Sequence, residues 1–319
     1  MSVTFDINEQ ALLERNPDVL KSLLADRTTN RNIIWGTDDY CHLGASYAAD
    51  QPILISSITG LNTGVIQPRI AKSEEQRGVR TKEKAEVFTP TWLCNTQNNL
   101  IDEAWFGRAR VFNTELEKCW ETNRQKIIFP SDKNKDWKHY IDERRLEIAC
   151  GEAPYLVSRY DVTTGTPIPL KDRIGLLDRK LRIVNENAEN EDEWLKWAER
   201  AVQSIYGFEF QGDNLLIARE NVLFTYVDYR ESFLNSQIPS NELSRIARIV
   251  SWNLWQMDAL TYTIPYQRVK NQFTQMSLFD LIEPDPTNED NDSSTYCVIM
   301  DWRSKKKNEF KSLLEEAKR

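Results

Sequence analysis

The chain has 319 residues, of which 40% are hydrophobic, and its formal net charge is −8 at pH 7. This length and apolar content suffice for one large or two ordinary domains with a buried core. The acidic balance argues against a general nucleic-acid coat, because non-specific affinity comes from neutralised phosphates. No apolar run reaches the roughly 18 residues that cross a bilayer, and we therefore expect a cytoplasmic protein with no membrane contact.

The pattern of cysteines and histidines excludes the common metal and disulfide frameworks. The cysteines are odd in number, widely spaced and never in a Cys-x-x-Cys arrangement, and only two histidines are present. We therefore expect reduced thiols and no metal site; the residues concerned are Cys41, Cys94, Cys119, Cys150, Cys297, His42 and His139.

Residues 1–80 predict a helical and irregular N-terminal region, with a helix over 8–24 followed by turn-rich sequence. Its end is rich in basic residues, since 69–84 contains six lysines and arginines against three glutamates. Such a segment is either a solvated surface or a loop that contacts phosphates. The sequence leaves both interpretations open.

Residues 81–275 alternate between strand and helix patterns. Apolar positions at helical spacing run from Glu191 to Ser204 and lead into an alternating strand at 205–210. Asp213 or Asn214 is expected to cap the next helix, and a further helix and strand follow at 243–258. This repetition predicts an α/β fold with a doubly wound, mostly parallel sheet. Residues 276–319 are expected to form an acidic linker with a strand and a helix at the end.

Three motifs in this region point to a cofactor. Small residues after a strand let backbone approach a ligand at the carboxyl edge of a parallel sheet, and a carboxylate ending the next strand can bind ribose hydroxyls. Gly151 and Glu209 occupy those places. Because Glu147 would repel a phosphate, a positively charged, phosphate-free ligand is preferred, and S-adenosylmethionine fits that description.

The order Phe-Thr-Pro, then Ala-Cys-Gly, then Tyr-Gly-Phe-Glu resembles the adenine-specific DNA methyltransferases that serve as modification subunits of restriction systems, over roughly residues 80–260. The resemblance implies a Rossmann-like methyltransferase fold. It departs from the family pattern at Glu152 and Ala153, where the family has a small hydroxyl residue and a second glycine. The implied cofactor-binding residues are Phe88, Thr89, Pro90, Glu147, Cys150, Gly151, Glu209 and Asp258.

The catalytic Asn/Asp-Pro-Pro-aromatic tetrapeptide of that family is missing. Its role is to hold the amine of a flipped adenine and to stack on the base. Three degenerate candidates remain: 263–266, which keeps Pro-Tyr; 279–288, which keeps an acid and a proline; and Asp301 with Trp302, which end an apolar strand. We prefer Asp301 and Trp302, because a strand end presents both groups at the rim of a sheet.

Two kinds of partner are suggested besides DNA. The chain leaves little length for a target-recognition domain, so a specificity or restriction subunit is plausible. The stretch Gln275, Met276, Ser277, Leu278 and Phe279 resembles the bacterial sliding-clamp-binding peptide. The expected function is S-adenosylmethionine-dependent methylation of adenine in DNA. The alternative is a catalytically inactive scaffold of the same fold that docks on a clamp or a restriction partner.

Overall fold

The computed structural model describes residues 8–84, 89–267 and 295–316. Its α-helices are α1 (Glu9–Arg15), α2 (Pro17–Leu24), α3 (Glu74–Lys84), α4 (Thr91–Phe106), α5 (Trp137–Asp142), α6 (Leu176–Asn187), α7 (Glu191–Gln203), α8 (Gly212–Leu234), α9 (Ser240–Asn253) and α10 (Phe310–Glu316). Its strands are β1 (Asn113–Leu116), β2 (Cys119–Thr122), β3 (Arg145–Ile148), β4 (Ile205–Glu209), β5 (Leu254–Gln256), β6 (Val298–Asp301) and β7 (Lys306–Glu309).

The α7–β4–α8 unit confirms the strongest periodicity in the sequence. The side chain of Asn190 caps α7 by accepting a hydrogen bond from the backbone N–H of Glu193 at 2.9 Å, and Trp194 and Ala198 on its inner face are fully buried. All five residues of β4 are buried. An apolar stripe of α8 is buried as well, at Leu215, Ala218, Val222 and Tyr226.

Strands β3, β4 and β5 form a parallel sheet in that order. Helices α6 and α7 connect β3 to β4, and α8 and α9 connect β4 to β5. The mixed α/β class predicted from the sequence is therefore confirmed. Within the described ranges the strand order follows the chain without a reversal. Because the strands are parallel, their carboxyl ends meet at one edge of the sheet.

Each face of the sheet packs against a different layer. On one face, α6 to α9 and the N-terminal helix α2 form the large core with Ile205 and Leu254. On the other face, the antiparallel hairpin β6–β7 and α10 cover Tyr206, Phe208 and Trp255. In the described part of the chain, no helix is both long and apolar enough to span a bilayer.

Arg219 of α8 joins the N-terminal region to the sheet. Its guanidinium is fully buried and donates hydrogen bonds to the carbonyl oxygens of Leu23, Ala25, Ser251 and Leu254. Burial lowers the pKa of Arg219 to about 9. The cation is retained because four carbonyl oxygens replace its water.

Two details differ from the expectations drawn from the sequence. The cap predicted at Asp213 or Asn214 is wrong, because the N-cap position of α8 is Gln211, two residues before Asp213, and its side chain makes no capping hydrogen bond. The boundary expected at residue 80 falls inside α3. Apolar side chains on both sides of that boundary, such as Leu20 and Leu215, belong to one core.

Candidate functional site

The turn after β3 has an unusual backbone at the carboxyl edge of the sheet. Ala149, Gly151 and Ala153 have φ angles of 49°, 53° and 64°, a left-handed region that residues other than glycine adopt rarely. Between them, the Cys150 N–H donates to the carbonyl oxygen of Phe208 at 2.9 Å, which ties the turn to β4. Strained residues of this kind are common where a loop is shaped around a ligand.

Glu209 at the end of β4 reaches this turn. Its Oε2 accepts a hydrogen bond from the Gly151 N–H at 2.8 Å, and its Oε1 accepts from Phe210 at 2.9 Å and from Gln211 at 3.1 Å. The side chain is buried, and burial raises the pKa of Glu209 above its usual value. The pairing of the small turn with the carboxylate, which the sequence predicted as neighbours, is present in the structure.

Glu147 lies on β3, directly before the turn, and is also buried. Its carboxyl group accepts hydrogen bonds from the backbone N–H groups of Leu156 at 3.1 Å and Tyr155 at 3.3 Å. Burial raises the pKa of Glu147 to about 8 despite these two donors. The raised pKa reduces the negative charge that Glu147 carries near neutral pH, and this weakens the repulsion of a phosphate expected from the sequence.

Thr89, Pro90 and Asp258 also lie at this edge. Pro90 is the N-cap residue of α4, and Thr89 hydrogen-bonds to the side chain of Tyr155, which follows the turn. Asp258 follows β5, where its Oδ1 accepts from the Leu260 N–H at 2.8 Å. Phe88 lies outside the described residues.

The structure does not bring Asp301 and Trp302 to this edge. The indole Nε1 of Trp302 donates to Asn253 Oδ1 at 2.6 Å, just before β5 begins, and Asp301 accepts from Arg144, just before β3 begins. Strand β6 runs opposite to the parallel strands, so its carboxyl end reaches their amino ends. The preference for this pair as the catalytic groups is therefore corrected, because both side chains contact residues at the amino ends of the strands, whereas the turn lies at their carboxyl ends.

A different aromatic side chain is exposed at the carboxyl edge. Tyr266 is 52% exposed, has a φ of 65°, and contacts the ring of Phe210 at 5.6 Å between centroids. It borders a cleft of about 270 Å³ together with Gln256 and Gln267. The Oε1 atom of Gln267 is buried there and has no hydrogen-bond partner among the described residues. Tyr266 belongs to the degenerate Pro-Tyr candidate at 263–266, to which the sequence alone prefers Asp301 and Trp302.

The basic segment lies across the same edge, which neither interpretation of the sequence anticipated. Lys72 and Arg80 are buried and contact Asp213 at 3.0 Å and 2.8 Å, and the Tyr40 hydroxyl donates to the same carboxylate at 2.8 Å. These cations hold the pKa of Asp213 well below its usual value. At the other end of the segment, Glu152 accepts from the backbone N–H of Arg69.

The sliding-clamp-like stretch 275–279 and the candidate at 279–288 lie outside the described residues. Among the residues that are described, no group of three or more His, Cys, Asp or Glu side chains is placed to hold a metal ion. Comparison of the chain with known protein families, with curated proteins and with solved structures finds no match.

Proposed function

We propose that the chain binds S-adenosylmethionine at the carboxyl edge of its parallel sheet and methylates the adenine amino group in DNA, as a modification methyltransferase or a subunit of one. The observation that carries this proposal is the contact between Glu209 and Gly151 at the ends of two adjacent parallel strands. A small-residue turn and a carboxylate in this relation form the usual nucleoside site of such sheets. We further propose that the three strands belong to a doubly wound sheet of the methyltransferase type.

The residues present fit a nucleoside ligand. A carboxylate offers about four acceptor positions, and three backbone N–H groups occupy three of those on Glu209. Among the described residues no other donor is placed on this carboxylate, and we assign the fourth position to a ribose hydroxyl. Glu147 and Thr89 lie where the resemblance implies contact with the methionine end. When bound, the cofactor supplies a methyl group activated by its sulfonium, and the chain orients the acceptor amine.

Tyr266 is our candidate for the residue that stacks on the target base, in place of Trp302. The reason is its position, since it is exposed beside a cleft at the edge that carries the turn. The buried Oε1 of Gln267 would accept a hydrogen bond from an exocyclic amine.

Calorimetric titration with S-adenosylmethionine tests the cofactor assignment. We expect Glu209→Ala to weaken binding by about tenfold or more, because hydrogen bonds to a charged acceptor contribute ~1.5–3 kcal/mol. Glu209→Gln keeps one acceptor oxygen, so its affinity for S-adenosylmethionine should lie between those of the unaltered chain and Glu209→Ala. Thermal melting curves show whether each variant folds. Equal affinity in folded Glu209→Ala and the unaltered chain would remove the ribose assignment.

Transfer of a tritiated methyl group to mixed-sequence DNA tests the assignment of Tyr266. We expect Tyr266→Ala to slow transfer by about tenfold, because stacking on a base contributes ~1–3 kcal/mol, and to leave S-adenosylmethionine affinity unchanged. Tyr266→Phe, which keeps the ring, should retain most of the rate. Unaltered transfer by Tyr266→Ala would contradict the assignment.

The second candidate function is a catalytically inactive scaffold that associates with DNA through a clamp or a restriction partner. The placement of Asp301 and Trp302 at the amino ends of the strands favours it, because it removes the preferred catalytic pair from the site. The cofactor-binding and methyl-transfer measurements together distinguish the two functions. Cofactor binding without methyl transfer to DNA supports the scaffold, and transfer excludes it.

A further inference from the structure

A second cleft, of about 550 Å³, lies in the helical layer and shares no lining residue with the cleft at Tyr266. It is bounded by α6, the last turns of α8, the loop before α6 and the chain just after β2. Its size falls within the range of small-molecule sites, roughly 300–1,000 Å³. The lining residues are Asn123, Arg124, Pro169, Leu170, Lys171, Arg173, Arg182, Asn185, Glu186, Tyr229 and Ser232.

The four cations that line the cleft outnumber by one the three carboxylates that pair with them. Each arginine has a carboxylate partner, whereas the exposed side chain of Lys171 has no ion pair or hydrogen bond to any residue in the described part of the chain. The pairs are Arg124 with Asp172 at 2.5 Å, Arg173 with Asp228 at 2.7 Å and Arg182 with Glu186 at 2.7 Å. An anion would neutralise the remaining charge.

Hydrogen-bond donors from several elements are also available. The side chain of Arg173 is 9% exposed, and its Nη1 atom is buried with no hydrogen-bond partner in the part of the chain that the structure describes. Asn185 accepts from Trp194 through its Oδ1 at 2.6 Å, so its amide N–H groups remain to donate. Unpaired buried donors are costly, and an oxyanion is the ligand group that accepts several of them at once.

The rest of the cleft is apolar. Pro169, Leu170 and the ring of Tyr229 line it, and the Tyr229 hydroxyl donates to the Leu170 carbonyl oxygen at 3.3 Å. This bond fixes the ring against the loop. A ligand must therefore combine a charged group with a body that can pack on these surfaces.

We propose that this cleft binds a small molecule in which one oxyanion, a phosphate monoester or a carboxylate, is attached to a flat apolar body. Lys171 pairs with the oxyanion, with Arg173 and Asn185 as neighbouring donors, and Tyr229 and Leu170 contact the body. The site is independent of the proposed methyltransferase function, because no residue of the carboxyl edge takes part in it.

The test uses the full chain and two matched probes, phenyl phosphate and benzoate, with benzyl alcohol as the neutral control. Saturation-transfer NMR and calorimetry measure binding. We expect at least one of the two anions, phenyl phosphate or benzoate, to bind and benzyl alcohol not to bind. The better of the two anions identifies the group as phosphate or carboxylate.

Variants locate the bound probe. Lys171→Gln is expected to weaken binding by about tenfold. Lys133→Gln, which changes another exposed loop lysine without a partner among the described residues, should leave binding unchanged. Ser232→Trp at the rim should block the cleft while the fold persists, as judged by thermal melting.

Three results would overturn the proposal. The first is that neither anion binds, and the second is that the Lys171 and Lys133 variants behave alike. The third is that duplex DNA binds in a Lys171-dependent manner while both small anions fail, which would make the cleft a nucleic-acid contact instead.

Discussion

Replacement of Asp213 by asparagine is expected to lower the free energy of unfolding by about 3–5 kcal/mol, the usual cost of breaking a buried ion pair from one side. The substitution keeps the shape of the side chain and removes its charge. Lys72, which is buried, would then lack the carboxylate that neutralises it, and the buried Arg80 would keep only its ion pair with Asp39 at 2.8 Å. Equilibrium unfolding in urea, followed by circular dichroism, measures the loss.

Asp18→Asn is the matched control. Asp18 pairs with Lys21 at 3.2 Å, but its side chain is 81% exposed, and exposed pairs contribute at most about 1 kcal/mol.

Because the pKa of folded Asp213 is depressed, the contribution of Asp213 to stability is present above the pKa that it has in the unfolded chain and is lost as the pH falls below about 4. A loss below about 1 kcal/mol at pH 7 for Asp213→Asn would contradict the assigned pairing.

The second large effect is a fall in stability with rising pH, caused by Glu147. Its pKa is about 8 in the folded protein against a usual value of 4.5. Between these values the folded chain holds a proton that the unfolded chain has released, so the free energy of unfolding falls as the pH rises. At ~1.4 kcal/mol per pH unit over this window, the upper limit of the fall is about 5 kcal/mol.

Glu147→Gln should remove most of this slope between pH 6 and pH 8. Below pH 6 a slope should remain, because burial raises the pKa of Asp178 to about 6. Glu103→Gln, which changes an exposed glutamate of α4, should keep the unaltered profile. Unfolding curves recorded from pH 5 to pH 9 test the difference; the same slope in all three proteins would show that Glu147 does not titrate in this range.

The sequence could predict the elements whose signal is local. Helix α7 carries its cap at Asn190 and its apolar stripe within one short stretch, and β4 follows without a gap. The adjacency of Glu209 and Gly151 could also be predicted, because parallel strands joined by helices bring their carboxyl ends together.

The remaining features depend on contacts between distant segments. The direction of β6 is set by its hairpin with β7 and by the contact of Trp302 with Asn253, which no local pattern encodes. Lys72 and Arg80 are both paired with an aspartate more than 130 positions away, and Arg80 also with Asp39. A charged segment that is buried against a distant partner has the same composition as a charged segment on a solvated surface, so the sequence alone does not distinguish them.

The four carbonyl oxygens around Arg219 bear on how the chain can be divided. Two of them belong to Leu23 and Ala25, near the beginning of the chain, and two to the end of α9 and the start of β5. A fragment that starts at residue 81 would leave this guanidinium with only half of its hydrogen-bond acceptors. The fragment would also lose both cations that neutralise Asp213. Residues 8–80 are therefore an integral part of the core that supports the sheet and not a separable unit.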